Sequence, residues 1–430
     1  MKFAVKTLGC KVNQYESEYF INSLIEKGLQ LVDLKDNPDI VIINSCSVTE
    51  EAKRQSFQLL RKAKRLNPFS KIIFTGCVVD ETKSLKIADI EISNFYKKNL
   101  SDLIKEENKR FFIKEIHNED KFQFLQVNKF FNTTRAFLKI QDGCNNYCSY
   151  CIIPYVRGKP RSLNKDEIIN SILRLSENYK EVVLCGINIE LYGVDSGLRD
   201  GFFNLLNEIN EELSRRNIKN FRIRLSSLKP DKVNEKFVKL ITESEFFCNH
   251  FHLSIQNLND VVLKLMNRKY TFKEIERCIN LIKSYNELSN IGADIITGFV
   301  NETDERFSDN VKKLENLDIN YLHIFPFSMK KGTKAENFKE IVSKEDKKNR
   351  VKILKNIANN KKRKFLEKNL NKPMRVLIEK KEGSYHSGYS DNYLKIYVKL
   401  DLNQLKNKFI NVICKSVEKE GLKGGEIYDN

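Results

Sequence analysis

Apolar and polar positions fall into short blocks along this chain. Residues 3–8 (FAVKTL), 39–44 (DIVIIN) and 71–76 (KIIFTG) are brief apolar runs, and each predicts a strand. Between them, Asn13 to Gly28 and residues 50–66 (EEAKRQSFQLLRKAKRL) carry helical spacing, the first stretch closed by Gly28. This βαβαβ rhythm predicts a parallel sheet covered by helices. A polar, Phe-rich stretch, 107–133, reads as a connection. From Arg135 the alternation resumes, with strands predicted at 135–140, 181–185, 221–225, 251–255, 291–296 and 320–325. Helical patterns separate them near 165–179, 202–214, 232–244, 272–286 and 304–316. Such βα repeats predict a full or partial (β/α) barrel, whose chemistry gathers at the C-terminal ends of the strands. Residues 345–372 form a basic helical stretch. The tail then alternates apolar and polar residues between Gly, Ser, Asp and Asn turns, which predicts a small antiparallel β-barrel of the oligonucleotide-binding kind. The expected class is α/β, in three domains at 1–112, 130–362 and 366–430.

Composition narrows the setting. Hydrophobic residues make up 41% of the 430, enough for real cores. No apolar run approaches the roughly 18 residues of a membrane span. Lys2, Lys6 and Lys11 interrupt the N-terminus, so no signal-peptide core is expected and the expected location is cytoplasmic. In a reducing compartment the ten cysteines are not expected to pair. The net charge of +18 points to a polyanionic partner, and nucleic acid is the commonest.

The cysteines divide into three groups. Cys185, Cys248, Cys278 and Cys414 read as core thiols. Cys10, Cys46 and Cys77 each follow a predicted strand, so a parallel sheet would bring them to one edge, where ligands bind. Cys144, Cys148 and Cys151 form C-x3-C-x2-C just after the first strand of the second series. A structural zinc site closes with four ligands, and only a remote residue such as His250 or His252 would supply the fourth. A 4Fe–4S cubane held by three thiolates instead leaves one iron open to a small molecule.

The motif CSYC, with Tyr150 before Cys151, resembles the signature of radical S-adenosylmethionine (SAM) enzymes. The resemblance covers nearly the whole chain. TLGCKVNQYES, INSCSVTEEA and FTGC resemble the N-terminal cluster domain of the radical-SAM methylthiotransferases. QDGCNNYCSYCIIPYVRGKPRS, HLSIQN, LMNRKYT and LHIFPFSMKKGT resemble their radical-SAM core, and SGYSDNYLKIYV resembles their RNA-binding TRAM module. The resemblance implies two 4Fe–4S clusters, one on Cys10, Cys46 and Cys77 and one on Cys144, Cys148 and Cys151. It also implies SAM as both methyl donor and radical source. No catalytic residue beyond the clusters is assigned. Tyr150 is expected against the adenine of SAM, and Gly186, Asn188, Gln256 and Asp294 are further cofactor-binding candidates. Arg157 and Arg161 are forked donors for a carboxylate or RNA phosphate, or surface charges, and Tyr385, Tyr389 and Tyr393 are candidate base-stacking residues.

GCKVNQYES, RGKPRS and MNRKYT are similar to the branch that acts at C2 of N6-threonylcarbamoyladenosine at tRNA position 37. Other branches act on isopentenyladenosine or on a ribosomal protein, and a non-catalytic Fe–S or zinc RNA-binding protein is the alternative of another class. The implied partners are the tRNA anticodon loop, an electron donor such as flavodoxin or ferredoxin, and an unidentified sulfur donor. The expected state is a monomer or weak dimer. Three stretches depart from the family pattern: FVNETDE (299–305) lacks the usual Pro-Gly, NLN (257–259) replaces Ser-Gly-Ser, and CGINIELYG (185–193) carries Cys185 and Glu190.

Overall fold

The computed structural model describes every residue except 84–85, 106–109, 115–120, 132, 340–341, 400–405, 419 and 429–430. The N-terminal unit runs β1 (Lys2–Thr7), α1 (Lys11–Glu26), β2 (Gln30–Leu31), β3 (Ile40–Ser45), α2 (Glu50–Leu66), β4 (Lys71–Gly76), α3 (Cys77–Thr82), β5 (Ile90–Ile92), α4 (Leu100–Leu103) and β6 (Arg110–Phe112). Its sheet has the order β2-β1-β3-β4-β5-β6, and every pairing is parallel. The βαβαβ expectation thus covers the centre of the sheet. The short strands β5 and β6 at one side of the sheet were not expected, and β6 lies inside the stretch read as a connection. Residues 107–109, 115–120 and 132 of that stretch are outside the described residues. Beyond them Leu125, Val127 and Phe130 insert into the main core as a strap without regular structure, which accounts for its apolar content.

The central unit continues with β7 (Ala136–Asp142), α5 (Ile153–Arg157), β8 (Arg161–Ser162), α6 (Lys165–Ser176), β9 (Glu181–Gly186), α7 (Gly201–Arg215), β10 (Arg222–Leu225), α8 (Glu235–Glu243), β11 (His250–Gln256), α9 (Asp260–Leu265), α10 (Phe272–Tyr285), β12 (Asn290–Thr297), α11 (Asp304–Asn316) and β13 (Tyr321–Pro326). Parallel pairings link β7-β9-β10 and β11-β12-β13. Between β10 and β11 only isolated bridges, Ile223 to Phe247 and Leu228 to Leu253, join the two sheets. Among the described residues no pairing returns from β13 to β7, so the array stays open. Helices cover the face bearing Leu138, Val182, Leu184, Ile223, Phe251, Leu253 and Ile291, which form one core.

The long helix α12 (Lys344–Lys368) leads into β14 (Pro373–Glu382), β15 (Tyr385–Ser390), β16 (Lys395–Val398), β17 (Phe409–Glu418) and β18 (Gly421–Tyr428). These close in the order β14-β15-β16-β18-β17. The sheet was expected to be antiparallel throughout, but β16 and β18 pair in parallel. An odd ring of strands cannot alternate direction all the way round, so one parallel pair is obligatory.

This tail docks on the N-terminal ends of the central strands. Glu181 is fully buried and accepts from Arg222 Nε at 2.7 Å and Arg224 Nε at 2.8 Å. The free ends of the same guanidiniums reach across to the Tyr389, Ser390 and Asp391 carbonyls and the Asp391 carboxylate. The two arginines hold the Glu181 carboxyl far below the usual carboxylate range. Tyr389 and Tyr393 stack on each other at 4.7 Å, with the Arg135 guanidinium over both rings. Their faces are engaged inside this junction, contrary to the base-stacking role considered for them.

Removing Glu181 would leave the buried Arg224 guanidinium without a carboxylate partner and Arg222 with Asp391 alone. Glu181→Ala is therefore expected to lower stability by about 3–5 kcal/mol and to expose the segment after α12 to limited trypsin digestion. An unchanged denaturation midpoint and digestion pattern would refute the docking role.

Candidate cluster sites

Strands β1, β3 and β4 are neighbours, and Cys10, Cys46 and Cys77 stand just beyond their C-terminal ends. Adjacent strands are about 4.8 Å apart, so the topology alone gathers the three thiols. Burial pushes the Cys46 and Cys77 thiols up, and the neighbouring Cys10 adds to that push on both. Cys46 Sγ lies so close to the preceding loop that a Cβ on Gly9, at φ +99°, would meet it at 2.6 Å. Buried amides lock the strand ends: Asn13 Nδ2 donates to the Leu8 and Ser45 carbonyls, Asn44 Nδ2 to the Asn13 carbonyl, and Ser45 Oγ to the Thr75 carbonyl. Cys10 is exposed, whereas Cys46 and Cys77 are buried.

The second set lies in the loop after β7. Cys144 N–H donates to the Gly158 carbonyl at 2.9 Å, which closes the loop on itself. The end of α9 clamps it from outside. Ser149 N–H and Oγ donate to the Met266 and Leu265 carbonyls, and Asn267 Nδ2 donates to the Asn146 and Tyr147 carbonyls. Arg268 Nη1 donates to Cys148 Sγ at 3.4 Å and Nη2 to the Ser254 carbonyl at 2.6 Å. The motif LMNRKYT is therefore the clamp on the cysteine loop. Sequence reading carried it only as a resemblance.

One guanidinium joins the two sites. Arg157, on α5 just past Cys151, is 1% exposed. It donates to Glu16 at 2.7 Å, to Asn13 Oδ1 at 2.8 Å and, more weakly, to Asp142 at 3.3 Å. Lys97 and Lys139 complete a buried cluster around Glu16, and together these cations hold the Glu16 carboxyl well below its ordinary range. The Cys77 thiol lies against the same guanidinium. Arg161 Nη2 donates to the Arg157 carbonyl at 2.8 Å and is itself buried. Neither arginine is a surface charge or faces an RNA phosphate, as had been considered. Glu16 on α1 and Asp142 at the end of β7 fix Arg157 in place, and neither pairing is visible in local sequence.

The residues fit iron–sulfur clusters. The buried Nε–H of Arg157 has no acceptor among the described residues, an orphan beside Cys77 that a sulfide would satisfy. Burial pushes the Cys46 and Cys151 thiols up to about 12, so metal uptake must displace their protons. Among the described residues, the one trio of donors within 4.8 Å of one another is His252, Asp294 and His323. Neither cysteine set is drawn that tightly, as suits thiolates on different irons rather than on one zinc. His250 and His252, considered as a remote zinc ligand, hydrogen-bond Tyr321 and Asp294 instead.

Comparison with known proteins agrees with this layout. Residues 2–94 match the model of uncharacterized protein family UPF0004, and residues 138–314 match the radical SAM superfamily. A threonylcarbamoyladenosine tRNA methylthiotransferase MtaB of Aquifex aeolicus is 36% identical, over 91% of this chain and 96% of its own length. The chain belongs to the MtaB-like methylthiotransferase family. The MtaB of Bacillus subtilis is 32% identical over 92% of this chain and 90% of that protein. A tRNA-2-methylthio-N(6)-dimethylallyladenosine synthase of Natranaerobius thermophilus is also 32% identical, over 82% and 80%. Among solved structures, the radical SAM methyltransferase TsrM of Kitasatospora setae superposes with a TM-score of 0.56 at 13% identity, covering 75% of this chain and 72% of that one. That likeness is one of fold. Among the described residues no helix is long and apolar enough to cross a membrane.

The cofactor-binding candidates of this methylthiotransferase surround the second cysteine loop. The Asn188 side chain stands beside the Cys144 thiol, and its backbone N–H donates to Gln141 Oε1 at 2.8 Å. Gly186 backs onto the same Gln141, whose amide braces the Asp142 and Gly143 carbonyls. Gln256 ends β11 at φ +73° after a register shift, a strained conformation for a residue with a side chain. Tyr150 packs edge-on to Phe299 at 6.3 Å in a small apolar cluster with Val262 and Met266. Asp294 lies one layer below, held by His252 and His323.

Near this rim, burial pushes the Glu190 carboxyl up to about 8 although it accepts the Lys229 N–H. One of its oxygens is buried without a partner. The folded chain thus keeps a proton that the unfolded chain releases near its ordinary, lower pKa. Stability should fall as pH rises through the window between the two values, by up to about 1.4 kcal/mol per unit. Glu190→Gln is expected to flatten the decline of the thermal midpoint between about pH 5 and pH 8. An identical slope in the variant would count against a buried, protonated Glu190.

Proposed function

We propose that this enzyme transfers a methylthio group to C2 of N6-threonylcarbamoyladenosine at position 37 of tRNA. The observation that carries the reading is the placement of two cysteine triads on either side of one buried guanidinium, Arg157. A single-cluster radical enzyme needs only one triad. The names of the relatives with similar coverage supply the substrate.

In this reading Cys144, Cys148 and Cys151 hold one 4Fe–4S cluster, and Cys10, Cys46 and Cys77 hold a second that carries the sulfur. With SAM bound, the first supplies the one-electron cleavage that yields a 5′-deoxyadenosyl radical for hydrogen abstraction, and a second SAM supplies the methyl group. The chain's own residues position these groups. Arg268 donates to Cys148 Sγ, Asn188 stands beside Cys144, and Tyr150, Gly186, Gln256 and Asp294 would contact SAM. The closed tail sheet is read as a TRAM-type RNA-binding module. Together with α12, whose sequence KKNRVKILKNIANNKKRK is strongly basic, it grips the anticodon arm of a cytoplasmic tRNA by salt-dependent phosphate contacts. A flavodoxin or ferredoxin is the expected electron donor.

Nucleoside mass spectrometry of bulk tRNA, with and without the gene, tests the substrate. The methylthio form should vanish and threonylcarbamoyladenosine accumulate. Loss of the methylthio isopentenyl nucleoside instead would reassign the branch. Cys144→Ala should abolish 5′-deoxyadenosine formation. Cys46→Ala should retain it, stop methylthiolation and lower iron from about eight toward about four per chain. Full product yield from Cys46→Ala would sink the second cluster. Arg268→Met should lower the reduction potential of the SAM cluster, because hydrogen bonds to ligand sulfur stabilise the reduced state, and an unshifted potentiometric EPR titration would remove that role.

A further inference from the structure

The face of β11, β12 and β13 opposite the helix-covered core carries His250, His252, Asp294, Tyr321 and His323. They form one continuous hydrogen-bonded chain. The Tyr321 hydroxyl lies 2.7 Å from His250 Nε2 and 2.9 Å from His252 Nδ1. Asp294 Oδ1 lies 2.9 Å from His252 Nε2 and 3.3 Å from His323 Nδ1. Gly292 makes room for the Tyr321 ring, since a Cβ there would sit 2.0 Å from it.

The protons in this chain follow from its partners. Burial keeps His250 neutral, and its Nδ1 has no partner, so Nδ1 is the bare nitrogen and Nε2–H donates to Tyr321. The Tyr321 O–H then donates to His252 Nδ1. His252 Nε2–H and His323 Nδ1–H both donate to Asp294. The chain ends at His323 Nε2, on a side chain that is 56% exposed.

This end faces the reaction zone. Ser254, two residues beyond His252 on β11, accepts from Arg268, which holds Cys148. The open face thus offers the exposed edge of the His323 ring.

We propose that this face is a specificity pocket for a carboxylate on the substituent of the substrate base, with the outer Nε2–H of His323 as its donor and Asp294, on the inner Nδ1–H, as the group that orients the ring. The inference rests on the substrate reading above. A threonylcarbamoyl group ends in a carboxylate, whereas an isopentenyl group has no polar atom to engage such a donor.

The test uses reconstituted holoenzyme and anticodon stem-loop RNA carrying threonylcarbamoyladenosine either as the free acid or as its methyl ester. The wild-type enzyme should bind the acid about tenfold or more tightly than the ester, the scale of a hydrogen bond to a charged group. His323→Phe should bring the acid down to the affinity of the ester at unchanged iron content, and His323→Lys should restore the preference. Equal wild-type affinities for acid and ester overturn the proposal, as does an undiminished preference in His323→Phe. So does a metal ion beyond the cluster iron that is lost in His323→Phe, because the trio would then be a cation site. Failure of the wild-type enzyme to methylthiolate the acid RNA, with turnover of isopentenyladenosine RNA, would instead reject the underlying substrate reading.

Discussion

The contact on which the rest depends is the Arg157–Glu16 ion pair. Both groups are 1% exposed, and a charge so deeply buried persists only when it is paired. Glu16 lies on α1, the helix that begins at Lys11, and Arg157 ends α5, the helix that follows Cys151. A single pair therefore sets the distance between the edge of the N-terminal sheet and the cysteine loop of the central unit. Asn13 extends the link, because it accepts from Arg157 and donates to the carbonyl just before Cys46. Lys97 and Lys139 bring the local cations to three against Glu16 and Asp142, and the positive charge of Arg157 and Lys97 offsets part of the upward push that burial gives the Cys77 thiol.

A second ionic knot works at the opposite ends of the central strands. Glu181, Arg222 and Arg224 spend part of their hydrogen-bonding capacity on one another and the rest on the backbone at 389–391. Docking by backbone carbonyls constrains orientation more than docking by flexible side chains would. The tail is thus held as a fixed extension of the barrel base. Part of the formal charge of +18 lies in α12 and the tail, where lysine is abundant.

Local pattern revealed most of the elements. Every long strand and helix of the central unit falls within a few residues of its expected place, because each is long enough to show its period. Residues 90–92 and 110–112 were missed because three residues cannot display an alternation. The cysteines were legible because parallel topology converts "after a strand" into "at one edge". Arg157, Arg268 and His323 were not, since their roles rest on partners 141, 120 and 29 residues away. Some of Tyr385, Tyr389 and Tyr393 were expected to be core, and which of them was not legible for the same reason: Tyr389 and Tyr393 look available until the guanidinium that covers them is located.

The altered loop at 299–305 shows how a departure from family pattern can leave the architecture intact. Asn301 stands where the family has glycine and takes φ +59°, a conformation asparagine tolerates better than other side-chain residues. Val300, in place of proline, is fully buried with Phe299 in the cluster that supports Tyr150. Glu302, which is retained, accepts from the Gly298 N–H, Asn257 Nδ2 and Arg350 Nη1. That carboxylate ties the loops at 257 and 298 to α12, so the shape of the rim is set by Glu302 and not by the two substituted positions. Asn257, in the substituted NLN stretch, is itself one of the donors. The substitutions at 257 and 301 therefore belong to a rebuilt brace, and the face that carries His323 and Asp294 lies on the strands beneath it.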